Sequence, residues 1–195
     1  MKSFIRYILV VLVIVCSVLV TVSAENLSTS TNLSDYATNF YNEVKSSSEW
    51  QSSDNHAVRV EMLQLPETII AQMDTATLVD AVLAYPFYND IYAFNSIDIG
   101  MSILFSNFNG IRALATRPDA AAVLLEKYKN MPVSKAASFS SSNLLTEGTQ
   151  IYKLSNLEAL ITQDFVINAL SSKQLNELND VVSQKHAEKQ ASDLQ

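Results

Sequence analysis

The chain has 195 residues, 48% hydrophobic and 17% charged, with three glycines and four prolines. So few turn-formers exclude a barrel, a sandwich or a collagen-like repeat, and so much apolar content excludes global disorder. The formal charge of −7, from 13 basic and 20 acidic residues, leaves no basic stripe for nucleic acid; Lys127 with Lys129 and Lys185 with Lys189 are the densest basic pairs.

Lys2 and Arg6 precede an apolar run from Tyr7 to Val22, and Val22-Ser23-Ala24 fits the site a signal peptidase reads. Residues 1–24 are therefore expected to be a signal peptide, and the protein secreted or cell-surface. The alternative is a membrane anchor retained over residues 7–22, a run short of the roughly 20 residues a spanning helix needs. Val15 precedes Cys16 where a lipid-attachment signal wants a small residue, so lipidation is not expected. Cleavage leaves 11 basic against 20 acidic residues, a formal charge of −9, and removes Cys16, the only cysteine. Packing alone must then stabilise an exported chain without disulfides.

Residues 25–34 read as a polar leader, with N-x-S sequons at Asn26 and Asn32. From Asp35, Tyr36, Phe40 and Val44 recur every four positions and predict a first helix ending in the serine run at 46–48. Val58, Met62 and Leu65 predict a second helix, and Pro66 opens a third through Met73. Asp74 or Thr75 caps the next, whose Leu78, Val79, Val82 and Leu83 form a two-row apolar stripe ended by Tyr85-Pro86. Ser96 to Thr116 keeps a helical period through Ile99, Ile103, Leu104, Phe108, Ile111 and Leu114, with a break expected at Asn109-Gly110, where glycine allows a left-handed C-cap. Pro118 and Asp119 start a helix with Ala121, Leu124, Leu125 and Tyr128 inward, stopped at Met131-Pro132.

Residues 134–150 are serine-rich and read as a surface connection. Ser155 with Glu158 and Ser171 with Gln174 match capping boxes, and a short helix over 164–170 fills the gap between the helices they would start. The expected fold is all-α: a compact domain over 35–195 of about eight short helices, with solenoid-like pairing of the HEAT or armadillo kind as one arrangement.

The segment LQLPETIIAQMDTATLVDAVLAYPFYNDIYAFNS, followed by FNGIRALATRPDAAAVLLEKY, resembles a group of uncharacterised exported bacterial proteins. The matching positions are Leu65-Pro66, Thr75, Leu78, Leu83, Tyr85-Pro86, Phe108-Asn109-Gly110, Arg117 and Asp119. Asp74 stands where that group has serine, which keeps a capping side chain, and Pro118 separates Arg117 from Asp119. The resemblance covers about residues 58–130; it implies export and a helical fold and carries no activity. Each matching position also has a structural use, Arg117 being placed to reach the carbonyls of the helix before it.

Gly100, Gly110 and Gly148 lie too far apart for a dinucleotide fingerprint, a phosphate loop or a nucleophile elbow, and His56 and His186 are too distant for a zinc helix. No cofactor or metal is therefore expected, and no catalytic residue stands out. The densest unusual feature is five aromatics in ten residues: Tyr85, Phe87, Tyr88, Tyr92 and Phe94, with Asn89 and Asp90 among them. Tyrosine offers a large rigid face with a polar tip, so Tyr88, Asn89, Asp90 and Tyr92 are the candidate contacts for a protein or glycan partner. Phe87 and Phe94 are expected inside, and Tyr88 at least partly exposed beside a turn at Asn89-Asp90. The chain thus reads as an exported non-enzymatic interaction module. The alternative is a hydrolase of unrecognised type that uses a carboxylate pair or His56.

Overall fold

The computed structural model describes residues 33–133 and 144–193. The described helices belong to one unit, Leu33–Gln195. They are α1 (Leu33–Ser46), α2 (Ser48–Ser52), α3 (His56–Met62), α4 (Glu67–Ile70), α5 (Thr75–Leu83), a 3-10 helix (Tyr88–Ala93), α6 (Ile97–Asn107), α7 (Asn109–Ala115), α8 (Ala120–Asn130), α9 (Leu144–Ile161), α10 (Asp164–Ile167) and α11 (Ser172–Asp193). The fold is all-α, with no strand among the described residues and more helices than the eight expected. The unexpected elements are α2 and the 3-10 helix, both too short to show a period; α2 is held by Ser47 Oγ, which accepts from Trp50 N at 3.2 Å.

At the centre lies α5. Asp74 caps it by accepting from Thr77 N at 2.7 Å, and that hydrogen bond holds the Asp74 carboxyl below its ordinary pKa. Six of its nine residues are buried, Leu78, Val79 and Val82 completely. Helices α1, α7, α8 and α9 all pack on it, so the arrangement is a hub rather than a solenoid's row of helix pairs. In α1 the most buried residues are Ala37 and Tyr41, with Tyr36, Phe40 and Val44 on the flanks of the stripe, because the Tyr41 hydroxyl donates to Ala81 O of α5 at 3.3 Å.

The positions that carry the resemblance fasten to one another. Asn109 Nδ2 donates to Leu65 O at 2.7 Å and Asn109 Oδ1 accepts from Leu65 N at 3.0 Å, which pins the loop before Pro66. Thr75 Oγ1 donates to Asp119 Oδ1 at 2.6 Å and ties the starts of α5 and α8. Arg117 Nη2 donates to Ile70 O at 2.8 Å, so it closes the end of α4 rather than of the helix before it. The break before α7 lies at Phe108, in extended backbone, and no glycine among the described residues has positive φ. Gly110 is needed for space instead: a Cβ there would meet the buried Phe108 ring at 2.4 Å, and that ring is stacked on Tyr85 at 4.0 Å.

Four further expectations change. Helix α3 ends at Met62, leaving Val58 exposed while Leu63 and Leu65 are buried. Helix α1 takes in Leu33 and Ser34 from the expected leader; residues 1–32, with the signal segment, the apolar run and both sequons, lie outside the described residues. Helix α9 starts at Leu144, so residues 144–150 are helical and 134–143 of the expected connection lie outside the described residues. Ser155 and Glu158 form no capping box, since both sit inside α9, where Glu158 accepts from Tyr128 Oη at 3.1 Å and Lys189 Nζ at 2.7 Å. The Ser171–Gln174 box forms: Ser171 N donates to Gln174 Oε1 at 3.0 Å and Gln174 N to Ser171 Oγ at 3.3 Å. No helix among the described residues is long and apolar enough to cross a membrane.

Candidate functional site

The aromatic segment folds as a turn at Tyr85-Pro86 leading into the 3-10 helix. With three residues per turn, side chains three apart share an edge, which sorts the segment into three edges with different neighbours.

The first edge, Tyr88 and Ile91, is buried. Tyr88 was expected at the surface and is 1% exposed; its hydroxyl donates to Asn156 O of α9 at 3.0 Å. The turn that would have exposed it is a helical turn instead. Burial holds its hydroxyl far above the ordinary tyrosine pKa, with a smaller contribution from Tyr92. The second edge, Asn89 and Tyr92, meets the Asn156 side chain: Tyr92 Oη donates to Asn156 Oδ1 at 3.1 Å, and Asn156 Nδ2 donates to Asn89 Oδ1 at 2.9 Å. Asn156 is buried, so one asparagine ties three of the four candidate contacts to α9. A polar residue in the apolar row of Leu154, Leu157 and Leu160 was the signal that could have revealed it.

The third edge, Phe87 and Asp90, faces α3. His56 Nε2 lies 3.2 Å from Asp90 Oδ2, and both side chains are more than half exposed. The His56 ring is 4.6 Å from the half-buried Phe87, which stacks on Trp50 at 5.8 Å; the Arg59 guanidinium sits 4.9 Å from the Trp50 ring. The structure therefore unites His56 and Asp90, which entered the sequence reading under different functions. His186 Nε2 lies 3.1 Å from Gln190 Nε2, one turn on in its own helix.

Between α3, the 3-10 helix and α6 a cleft of about 60 Å³ opens at this edge. Its walls include Val60, Phe87, Phe94, Ile103 and Leu104; His56 and Asp90 stand among them, and Tyr85 also contributes. Phe94, expected inside, is 39% exposed; Ile103, part of the helical period read across 96–116, is 36% exposed, and Ile99, one turn before it, is 48% exposed. The reason is Gly100, where a Cβ would meet Ile91 O at 2.4 Å: α6 lies backbone to backbone on the 3-10 helix through Gly100, Met101 and Leu104, which turns Ile99 and Ile103 outward. The Tyr85 hydroxyl is buried and has no hydrogen-bond partner among the described residues. Burial, and secondarily the Asp90 charge, hold its pKa above the ordinary value.

A larger depression of about 510 Å³ lies over α1, α5, α8 and α9, with Asp35, Thr38, Asp80, Lys127 and Lys153 on its walls. Lys127 is ion-paired there with Asp80, so its charge is already balanced. No Ser, Thr or Cys is among the residues that line the smaller cleft, and no group of three or more His, Cys, Asp or Glu among the described residues could hold a metal ion. No protein-family model, curated protein or solved structure matches the chain.

Proposed function

We propose that the protein is an exported, non-enzymatic binding module whose contact face is the cleft between α3, the 3-10 helix and α6. The observation that carries this reading is the clustering of exposed apolar side chains at that cleft: Phe94 and Ile103 stand on its walls and Ile99 lies one helical turn from Ile103, three of the eight large hydrophobic residues exposed among the described residues. Exposed aromatic and aliphatic anchors around a small concavity are what a partner's side chain uses for a central contact. Export rests on the N-terminal pattern of Lys2, Arg6, the apolar run and Val22-Ser23-Ala24.

The test has two parts. The exported protein is expected to begin at Glu25 by N-terminal sequencing; intact Met1 in a membrane fraction would replace secretion with anchoring. Partners retained from the culture medium are expected on the wild-type protein and lost from Phe94→Asp and Ile103→Asp, while Tyr152→Ala, an exposed α9 control, keeps them. Equal retention by all four would overturn the assigned face.

A hydrolase reading has one observation in its favour, the His56–Asp90 contact, since a carboxylate orients an imidazole acting as general base. Among the described residues the cleft walls offer no serine, threonine or cysteine nucleophile, so with these residues water would have to attack. Turnover of an ester or glycoside panel, abolished in His56→Ala, would favour it over the binding module.

A further inference from the structure

We propose that α2 and α3 form a flap that lifts as one body from the 3-10 helix and opens the small cleft into a wider apolar groove. The flap stands on the fold alone; for the binding-module reading it decides how much of the contact face a partner meets. Neither α2 nor α3 buries a residue. The two move together because Arg59 of α3 is fastened to α2: its Nη2 donates to Trp50 O at 3.4 Å, and its guanidinium lies over the Trp50 ring. The chain is fixed at both ends of the flap. Before it, Ser47 Oγ donates to Val44 O at 2.8 Å in the last turn of α1. After it come the buried Leu63 and Leu65, with Gln64 Nε2 donating to Asn107 O at 2.8 Å and Gln64 Oε1 accepting from Asn109 N at 2.9 Å. The hinges therefore fall at Ser47 and at Met62-Leu63.

What holds the flap down is superficial. Trp50 and His56 both rest on the half-buried Phe87 ring, at 5.8 and 4.6 Å, and His56 meets Asp90 at 3.2 Å. That pair is more than half exposed on both sides, so it contributes little. Closure also leaves polar groups unsatisfied. Among the described residues, the buried side-chain polar atoms without a hydrogen-bond partner are Arg59 Nε, in the flap, and the Tyr85 hydroxyl, on the cleft that His56 and Val60 of the flap help to wall. A buried donor left unsatisfied costs about as much as a stacked ring pair contributes, so hydration of Tyr85 on opening offsets the contacts that break. Lifting the flap takes His56 and Val60 away from the cleft and leaves Tyr85, Phe87, Ile91 and Leu104 lining a groove. At about 60 Å³ the closed cleft is far below the several hundred Å³ of ordinary ligand sites, and opening removes that limit.

The test is native-state hydrogen exchange, read peptide by peptide on the protein alone. Helices α2 and α3 are expected to exchange together, through an opening that leaves α5 and α6 protected. His56→Ala, which removes the contacts with Asp90 and Phe87, is expected to speed exchange across both helices about fivefold. Tyr85→Phe, which removes the unsatisfied hydroxyl and keeps the ring, is expected to slow it about fivefold. Independent fraying of two short helices would not carry either change into α2, which holds neither residue. Exchange of α2 unchanged in both variants, or shifts confined to α3, would overturn the flap, as would faster exchange in Tyr85→Phe that keeps the wild-type melting temperature. Should Tyr85→Phe melt below wild type, Asp90→Asn at the exposed pair takes its place: it is expected to speed exchange in both helices about twofold, and no change in α2 overturns the proposal. Failure here leaves the assigned contact face standing, and equal partner retention by the face variants leaves the flap standing.

Discussion

Helices α5 and α11 are both legible as helices, yet α5 docks mainly by apolar burial, whereas α11 adds lysine contacts and ion pairs to the packing of Leu175, Leu178 and Val181. Six of the nine residues of α5 are buried, and the helix that packs at the hub brings almost no charge with it. In the 22-residue α11, Leu178 and Lys185 are the buried residues among those described, and the helix continues its inward seam with lysines. Lys185 Nζ donates to Met131 O at the end of α8 and lies 5.2 Å from the Tyr128 ring; Lys189 pairs with Glu158 at 2.7 Å, and Glu177 with Lys129 at 2.6 Å. Burial lowers the Lys185 pKa, as expected for a cation taken out of water. The contrast teaches that an apolar period reports which face is inside only where apolar burial does the docking.

The largest effect is expected at the hub. Leu78→Ala removes a fully buried side chain from a helix touched by four others and should cost about 2 to 5 kcal/mol by chemical denaturation, whereas Val182→Ala on the exposed side of α11 should stay within about 0.5 kcal/mol. Comparable costs for the two would erase the contrast.

Alkaline pH should strike the hub next. Tyr41, Tyr85, Tyr88 and Tyr128 are all held above the ordinary tyrosine pKa, chiefly by burial. Their folded pKa exceeds the unfolded one, so the unfolded chain releases protons first. Stability is therefore unaffected by them below about pH 10 and falls as pH rises beyond it. A pH series of thermal melts should show a plateau and then a decline from about pH 10, and a spectroscopic titration should show Tyr41, Tyr85, Tyr88 and Tyr128 ionising only with unfolding. Ionisation of these four in the native state would contradict the burial.

A smaller loss is expected where α9 meets the 3-10 helix. Asn156→Ala keeps the main-chain acceptor for Tyr88 but deprives Tyr92 and Asn89 of their partner, at about 1 to 3 kcal/mol. Thermal melts of this variant beside Tyr92→Phe separate the two bonds, because Tyr92→Phe should lose only one of them.

What the sequence disclosed follows the same physics. The caps at Asp74 and Ser171 and the stripe of Leu78, Val79 and Val82 were legible because a local rule governs each of them. The fate of Ile99 and Ile103 was not legible: their spacing fits a buried face, and only the approach of Ile91 to Gly100 turns them outward. The four candidate contacts were found as a cluster, but their division among three edges needs the 3-10 period, which six residues of sequence do not display. His56 and Asp90 are 34 positions apart, so their pairing depends on the tertiary fold. Glu158 was misread because Ser-x-x-Glu spacing recurs inside helices, and the lysine that claims Glu158 comes from 31 residues away.

The smallest expected effect is also the one that most sharpens the comparison. Ion pairs that keep a third of their surface in water are screened by salt and contribute little to global stability, so Lys189→Gln should cost no more than about 1 kcal/mol. Local opening is a different quantity, because a segment with few fully buried apolar side chains can detach without unfolding the hub. Hydrogen exchange read helix by helix should therefore show faster exchange in α11 at about 1 M salt, where the screening length falls to about 3 Å, with α5 unchanged. Lys189→Gln should reproduce the α11 change at low salt. Equal protection of α11 at both salt concentrations would mean that the apolar contacts around Leu178 hold it after all; loss of protection in α5 alongside α11 would mean that the two helices unfold as one cooperative unit.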